Sequence, residues 1–502
     1  MIDQLSWIAV YPEVVLLVMS CVIALVDLLD RRATRPVAYV LTVLTLLVLA
    51  VLTGYFALAM SSGADTLYGF GGMVVSDAMA NWLKCFAALA LLVTFVYSRT
   101  YVASRDMLRG GEWYVLGLLG LLGVFVMISA SHFLTLYLGL ECLALSSYAL
   151  VALRRDLPDA TEAAMKYFVL GAMASGFLLY GLSMLYGATG TLDINATFQA
   201  IASGQIRHQV LVFGVVFVVA GLAFKFGAAP FHMWVPDVYE GAPTAVTLFL
   251  GAAPELASFA IAVRLLVEGL LPLALDWQPM LGVVAVASLL VGNIVAIAQT
   301  NIKRMLGYSA ISHMGFVLLG LMSGVVGESD VLTANAYSSA MFYAVVYVLT
   351  TLVSFGVIML LARDGFESDQ IADFAGLNQR SPLYAGIMGI CMLSLTGFPP
   401  MVGFQAKLAI LQALVSTELP LYIGLAVFAV IMSLIGAFYY LRVIKVMYFD
   451  DLPAALPSGP IAAPIDMRWM LTVNGLALLV LGLVPGGLMS LCARAIEQML
   501  AT

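Results

Sequence analysis

The sequence predicts an all-α polytopic membrane protein of about 14 transmembrane helices, two of them broken. Three observations predict it. Of 502 residues, 63% are hydrophobic and 10% are charged, and the mean hydropathy is +1.04. A soluble domain carries about 25% charged residues, so this chain has too few charges to cover a water-facing surface. Its apolar residues fall in runs of about 18 or more, the length a helix needs to cross a bilayer. Its basic residues gather in alternate connections between those runs.

The runs lie near 8–29, 37–60, 77–98, 113–130, 132–153, 160–187, 210–231, 243–267, 278–299, 302–323, 335–362, 382–416, 420–446 and 468–491. They are called spans 1 to 14 in that order. Span 12 is too long for one straight crossing and carries Pro399-Pro400 in its middle. Span 7 is interrupted by Gly227-Ala228-Ala229-Pro230, just after Lys225. Proline removes a backbone donor and clashes with the preceding turn. In lipid the freed groups need partners from protein or cavity water. Broken helices in corresponding positions of two halves point to a transport path. In span 4, Gly117, Gly120 and Gly123 repeat every third residue in an apolar run, which reads as close helix contact rather than a phosphate loop.

An internal echo accompanies the breaks. Ala164-Met165-Lys166-Tyr167 opens span 6, and Ala340-Met341-Phe342-Tyr343 lies in span 11. Spans 7 and 12 stand the same five spans apart. An odd offset inverts one copy relative to the other, as in transporters built from inverted repeats. The chain then divides into 1–112 (spans 1–3), 113–268 (spans 4–8), 269–449 (spans 9–13) and 450–502, an acidic and Pro-rich connector followed by span 14.

Lys and Arg set orientation. Arg31, Arg32 and Arg35 follow span 1; Arg99, Arg105 and Arg109 follow span 3; Arg154 and Arg155 follow span 5. Lys303 and Arg304, Arg363, and Arg442 with Lys445 continue the pattern. All fall on one side if the spans alternate, whereas 61–76, 188–209 and 324–334 hold only Arg207. The basic side is expected to be cytoplasmic, and both termini periplasmic. The start, Met-Ile-Asp-Gln, has no basic n-region, so the first run is expected to be a retained span.

Composition argues against several function classes. With 22 Lys+Arg against 29 Asp+Glu the net charge is −7, and no basic stripe offers a nucleic-acid surface. The five cysteines are scattered through apolar surroundings without a C-x-x-C pair, which supports neither disulfides nor a zinc or iron–sulfur site. No histidines stand at haem-ligand spacing. The chain is expected to hold no cofactor or metal and to do no redox chemistry of its own.

Ionisable residues at mid-bilayer cost about 2.5–3.5 kcal/mol each on insertion scales and are functional candidates by default. Glu141 lies in span 5, Lys225 in span 7 before its break, Glu255 in span 8 after Pro254, and Lys407 in span 12 after Pro399-Pro400. A buried lysine near a carboxylate can exchange protons at physiological pH, and a chain of such groups is a proton path. His313 in span 10 adds a group that ordinarily titrates near neutrality. Each has a plainer reading: a satisfied ion pair for the acids and lysines, a hydrogen-bonded core residue for His313. Lys166, with Glu162 at i−4, reads as a member of the path or as a surface pair. His232 after the span 7 break reads as a relay or as lining. Lys84 reads as a helix-contact residue, and Arg264 with Glu268 as an ordinary i,i+4 pair.

Four segments carry a resemblance: Leu140 to Tyr148 around Glu141; Phe224 to Asp237 through Lys225; Asn301 to Gly315 through His313; and Gly397-Phe398-Pro399-Pro400 with Lys407. They resemble the antiporter-like membrane subunits of respiratory complex I over essentially the whole chain. Within that family the chain is most similar to the shorter members, which lack a lateral helix beyond the last span. The resemblance implies a proton-pumping module of two inverted five-helix repeats, spans 4–8 and 9–13, in a bacterial inner membrane. It implies that Glu141, Lys166, Lys225 and Lys407 are proton-transfer groups. It also implies a hetero-oligomer with other membrane subunits, including adjacent antiporter-like ones. FMN and iron–sulfur clusters would then lie in partner subunits that oxidise NADH and reduce quinone. The span 8 position commonly carries lysine in this family and here is Glu255, a departure that calls for a rearranged partner, Lys225 or His313. The competing readings are a multisubunit cation/proton antiporter or a membrane-bound hydrogenase-type complex, and a passive membrane scaffold.

Overall fold

A computed structural model describes residues 4–501 except 31, 33, 109, 326–329, 364 and 454–458. Arg31 and Arg109 of the orientation pattern lie outside the described residues. Among the described residues, twelve helices are long and apolar enough to cross a membrane. The two other expected spans fall on shorter helices: Glu112–Ile128 for span 4, and the pair Pro382–Thr396 and Val402–Val415 for span 12. A short antiparallel hairpin, Leu67–Gly69 with Val74–Ser76, interrupts the helical pattern in a connection expected to be plain loop.

The helices start where local chemistry allows it. Proline occupies the first turn of Pro36–Ser61, Pro158–Thr189, Pro382–Thr396 and Pro420–Phe449, where its missing N–H has no intrahelical partner to lose. Asp77 and Asn301 cap the helices of spans 3 and 10, accepting from Ala80 N at 2.7 Å and Arg304 N at 3.1 Å.

Span 7 breaks where expected: His208–Lys225 ends, and Trp234–Gly241 resumes. Span 8, expected to be continuous, is also broken. Thr244–Leu250 stops, Gly251 and Ala252 leave the helix, Ala253–Ala262 restarts, and Val263–Gly269 finishes as a π-helix. Pro254 sits in the first turn of the restarted helix, where its missing N–H costs no intrahelical bond. Span 14 ends at Leu483 and the chain turns at Pro485 into Gly486–Leu500, whose Cys492, Ala495, Ile496 and Met499 are buried on one face.

Burial separates inner from outer helices. In spans 8 and 10, 94% of the apolar window is buried within the chain, and in span 11, 89%. In spans 6 and 13 the shares are 39% and 28%. Spans 4 and 5 are held at backbone distance by glycine: a Cβ on Gly123 would lie 2.4 Å from Leu143 N and 2.6 Å from Gly139 O. Gly117 and Gly120 instead leave room for the Phe95 and Phe249 rings. Contact of this kind drives helix association where no hydrophobic difference between protein and lipid exists.

Candidate functional site

The expected charges occupy the interior unevenly. Glu141, in Phe133–Val151, accepts a hydrogen bond from the Ser175 hydroxyl of span 6. Lys225 is the last residue of its helix, half-buried, with Glu141 the charge in electrostatic reach. The break after it is satisfied by protein: Ser288 Oγ accepts from Ala229 N at 2.9 Å, and Trp234 Nε1 donates to Phe224 O at 3.0 Å. That meets the demand lipid makes of irregular backbone.

Glu255 stands one turn past the span 8 break, and its Oε2 is buried without a protein donor. Neither expected partner reaches it. Its electrostatic neighbours are the hydroxyls of Tyr167, Tyr239 and Tyr347. The carboxyl therefore lies at a junction of spans 6, 7, 8 and 11, among hydrogen-bonding groups without countercharge.

In the second half, His313 is bonded through both ring nitrogens, Nδ1 with Tyr343 Oη at 2.7 Å and Nε2 with Tyr440 Oη at 3.0 Å. Tyr440 also meets Ser309 Oγ at 2.5 Å. Asn293 Nδ2 donates to Ser312 Oγ at 2.8 Å, and Tyr439 donates to Asn293 Oδ1 at 3.2 Å. Lys407 is 8% exposed. Its ammonium donates to Leu395 O at 3.0 Å, Thr396 O at 2.9 Å and Ser433 Oγ at 2.7 Å, under the Phe316 ring. Two of these acceptors are carbonyls freed by the span 12 break. Lys407, Thr396 and Ser433 also line a cavity of about 630 Å³ together with Phe398, Leu434 and Leu441.

Lys166 is not inside. Its side chain is 44% exposed and pairs with Asp237 at 2.7 Å and Glu162 at 2.9 Å. Asp237 pairs in turn with Arg304 at 2.8 Å, which ties span 6 to the start of span 10. His232 is half-buried in the turn after the span 7 break. Lys84 is fully buried against Glu13 at 2.6 Å. Arg264 is not the ordinary helix-surface pair expected: it is 1% exposed, bonded to Glu268, to Asp77 at 2.7 Å and to Ile128 O at 3.3 Å.

A clamp at the arginine-rich end holds the start of span 8. Tyr101 Oη accepts from Thr244 N at 3.0 Å and donates to Glu367 Oε2 at 2.8 Å. Arg105 and Arg154 donate to Glu367 Oε1 at 2.8 and 3.1 Å, while Lys303 donates to Ala242 O at 3.0 Å. Burial works to raise the Glu367 acid, but Arg105 and the Tyr101 hydroxyl outweigh it and hold it below the usual carboxylate range.

The tyrosines, the span 8 break and the clamp were missed from sequence. Tyrosine in an apolar run reads as core, and its polar tip shows only in three dimensions. Gly251 ahead of Pro254 was the available signal for the break.

A bundle of membrane helices, interrupted beside buried acids and lysines, defines an ion-translocating membrane protein. The transmembrane family described as NADH:quinone oxidoreductase/Mrp antiporter matches residues 130–433, and this chain belongs to it. It is 64% identical over 498 residues to NADH-quinone oxidoreductase subunit N of Polaromonas naphthalenivorans, covering 99% of each chain. It is 58% identical over 503 residues to the protein of the same name from Herminiimonas arsenicoxydans, covering 100% of each. Among solved structures it is similar to a chain of respiratory complex I from Thermus thermophilus with bound aureothin. That likeness has 29% identity and a TM-score of 0.78, and covers 96% of this chain and 99% of the other.

Proposed function

We propose that this chain is the proton-translocating membrane subunit of a bacterial NADH:quinone oxidoreductase. Electron transfer from NADH to quinone takes place in partner subunits, which hold FMN and iron–sulfur clusters, and drives protons through this one. The observation that carries the reading is the series Glu141, Lys225, Glu255, His313 and Lys407. These are ionisable groups inside the bundle, three of them beside helix breaks. In each half a lysine stands at an interruption, as expected of two inverted five-helix repeats, 113–268 and 269–449. Glu141 and Lys225 form the transfer pair of the first, and His313 and Lys407 that of the second. Glu255 sits between them as a proton carrier. Lys166 acts from the surface, through Asp237, and sets the geometry of the span 7 break. In this reading the chain lies in the inner membrane with both termini periplasmic.

The test is Lys225→Ala and Lys407→Ala in the assembled complex. Removing a proton-exchanging group should lower coupled proton pumping roughly tenfold or more while assembly persists. Lys→Arg should be nearly as harmful, because Arg does not deprotonate in proteins. Wild-type pumping in both alanine variants would remove the proposal. The family also embraces Mrp antiporters, which favours a second reading as a cation/proton antiporter subunit. Transport that depends on a sodium gradient without NADH oxidation would select it.

A further inference from the structure

Span 8 enters the bundle on a short strut. Thr244–Leu250 is seven residues long, and every one of them is buried. Its start is anchored on both sides of Pro243, which has no N–H of its own. Ala242 O accepts from Lys303 Nζ at 3.0 Å, and Thr244 N donates to Tyr101 Oη at 3.0 Å. The far end of the strut is the break. A Cβ on Gly251 would lie 2.9 Å from Tyr239 Oη and 3.2 Å from the Thr351 methyl, so the chain passes there without slack. Glu255 follows, its N–H bonded to Ala252 O at 3.1 Å. A helix of about two turns has its length fixed by its own hydrogen bonds, so a shift at its start arrives at its end. Tyr239 is tied to the same strut: Thr247 Oγ1 donates to Tyr239 O at 3.2 Å, and the Tyr239 hydroxyl is an electrostatic neighbour of Glu255.

One carboxylate fixes the anchor. Tyr101 Oη donates to Glu367 Oε2 at 2.8 Å. A hydroxyl whose proton is held by a carboxylate is itself a stronger acceptor, because hydrogen bonds in a chain polarise one another. Arg105 Nε and Arg154 Nη1 hold the second oxygen of Glu367 at 2.8 and 3.1 Å. Arg105 also donates to Arg363 O and Phe366 O, both at 3.1 Å, and its guanidinium lies 4.0 Å from the centre of the Tyr101 ring. Glu367 belongs to the connection between spans 11 and 12, in the second half of the chain, whereas the strut belongs to the first. We infer that Glu367 is a positioning residue: through Tyr101 it fixes the start of span 8, and so the place of Glu255 at its junction. The inference rests on the proton-transfer reading above and gives a group outside the charged series a part in it. Packing the arginines would need one oxygen of Glu367; the other is spent on the tyrosine that holds the strut.

The experiment uses the assembled complex in membrane vesicles, with complex content counted by NADH oxidation through an artificial electron acceptor. Tyr101→Phe cuts the link and leaves the ion pairs of Glu367 in place, and Glu367→Gln removes the charge. Each should lower proton pumping roughly tenfold, since misplacing a reacting group by about 1 Å costs up to about a hundredfold. A residue that only holds the fold together lowers pumping whatever stands at position 255. A residue that acts through Glu255 has nothing to act on once that acid is gone. In the Glu255→Gln background both variants should therefore cause no further loss. Wild-type pumping in either single variant, or a further loss in that background, overturns the inference and leaves the wider reading standing. The wider reading falls separately, if Lys225→Ala and Lys407→Ala pump like wild type. Should neither single variant assemble, cryo-electron microscopy of the wild-type complex decides. A Tyr101 hydroxyl within hydrogen-bond distance of both Thr244 N and Glu367 is expected, and a gap on either side overturns the inference.

Discussion

Glu255 is the buried acid of span 8, where the resemblance leads one to expect a lysine. A lysine there would bring a cation; a carboxyl brings an acid that is either neutral or in need of a donor. Its surroundings are tyrosine hydroxyls and not a countercharge, and on the proposed path this acid is the group that holds and releases a proton. Glu255→Gln keeps size and hydrogen bonding but removes the titratable proton. Pumping in assembled complexes should fall by roughly tenfold, the usual order for a lost proton-transfer group, with NADH oxidation through an artificial acceptor unchanged. Wild-type pumping would make Glu255 a helix-contact residue. At this scale the placement of Glu141, Lys225 and Lys407 within the bundle was legible, because a charge in a long apolar run is costly wherever the fold puts it. It was less legible for Lys166. Eight residues into a helix looks internal, yet the helical face it occupies turns outward, and a single sequence does not say which faces meet lipid.

At the scale of the helix, breaks and close contacts decide the architecture. Proline announced the interruptions of spans 7 and 12, since its lost N–H is a local fact. The interruption of span 8 depends on Gly251 and Ala252 being pulled aside, a tertiary effect that Pro254 permits but does not force. Glycine contacts were legible as a kind and not as a partner. Gly123 meets the backbone of span 5, whereas Gly117 and Gly120 meet aromatic rings. The consequence is asymmetric. Gly123→Val would drive a branched side chain into Leu143 N and Gly139 O, where rigid backbone cannot yield. A cost at or above the roughly 1–3 kcal/mol typical of overpacking is expected, read as a loss of assembled complex from membranes. Gly120→Ala should be milder, because the Phe249 ring can shift. Equal losses from the two would contradict this assignment of contacts.

Over the whole molecule, charge and burial are arranged on different axes. The basic residues collect at one end of the bundle, where Arg105, Arg154 and Lys303 are tied into the Glu367 clamp. The ionisable groups Glu141, Lys225, Glu255, His313 and Lys407 run through spans 5, 7, 8, 10 and 12 instead. The first axis predicts topology. A cysteine placed at Ala462, in the connector before span 14, should react with a membrane-impermeant thiol reagent only from the cytoplasmic face, in a variant lacking the native cysteines. Labelling from the outside of intact cells would invert the orientation or change the number of crossings. The spans themselves were legible run by run, because length and hydropathy are properties of the chain. Which helices lie inside was not, because spans 10 and 13 are both apolar along their length and differ in what surrounds them.

Lys407 rests with all three of its N–H bonds occupied. An ammonium in that condition has nothing left to offer a passing water, so it releases a proton only after surrendering a partner. A membrane that stores energy as a gradient needs insulation as much as it needs conduction. On the proposed path, the same three bonds that fix the lysine would hold the second half shut when no electrons flow, and the module would idle without draining what the membrane has stored.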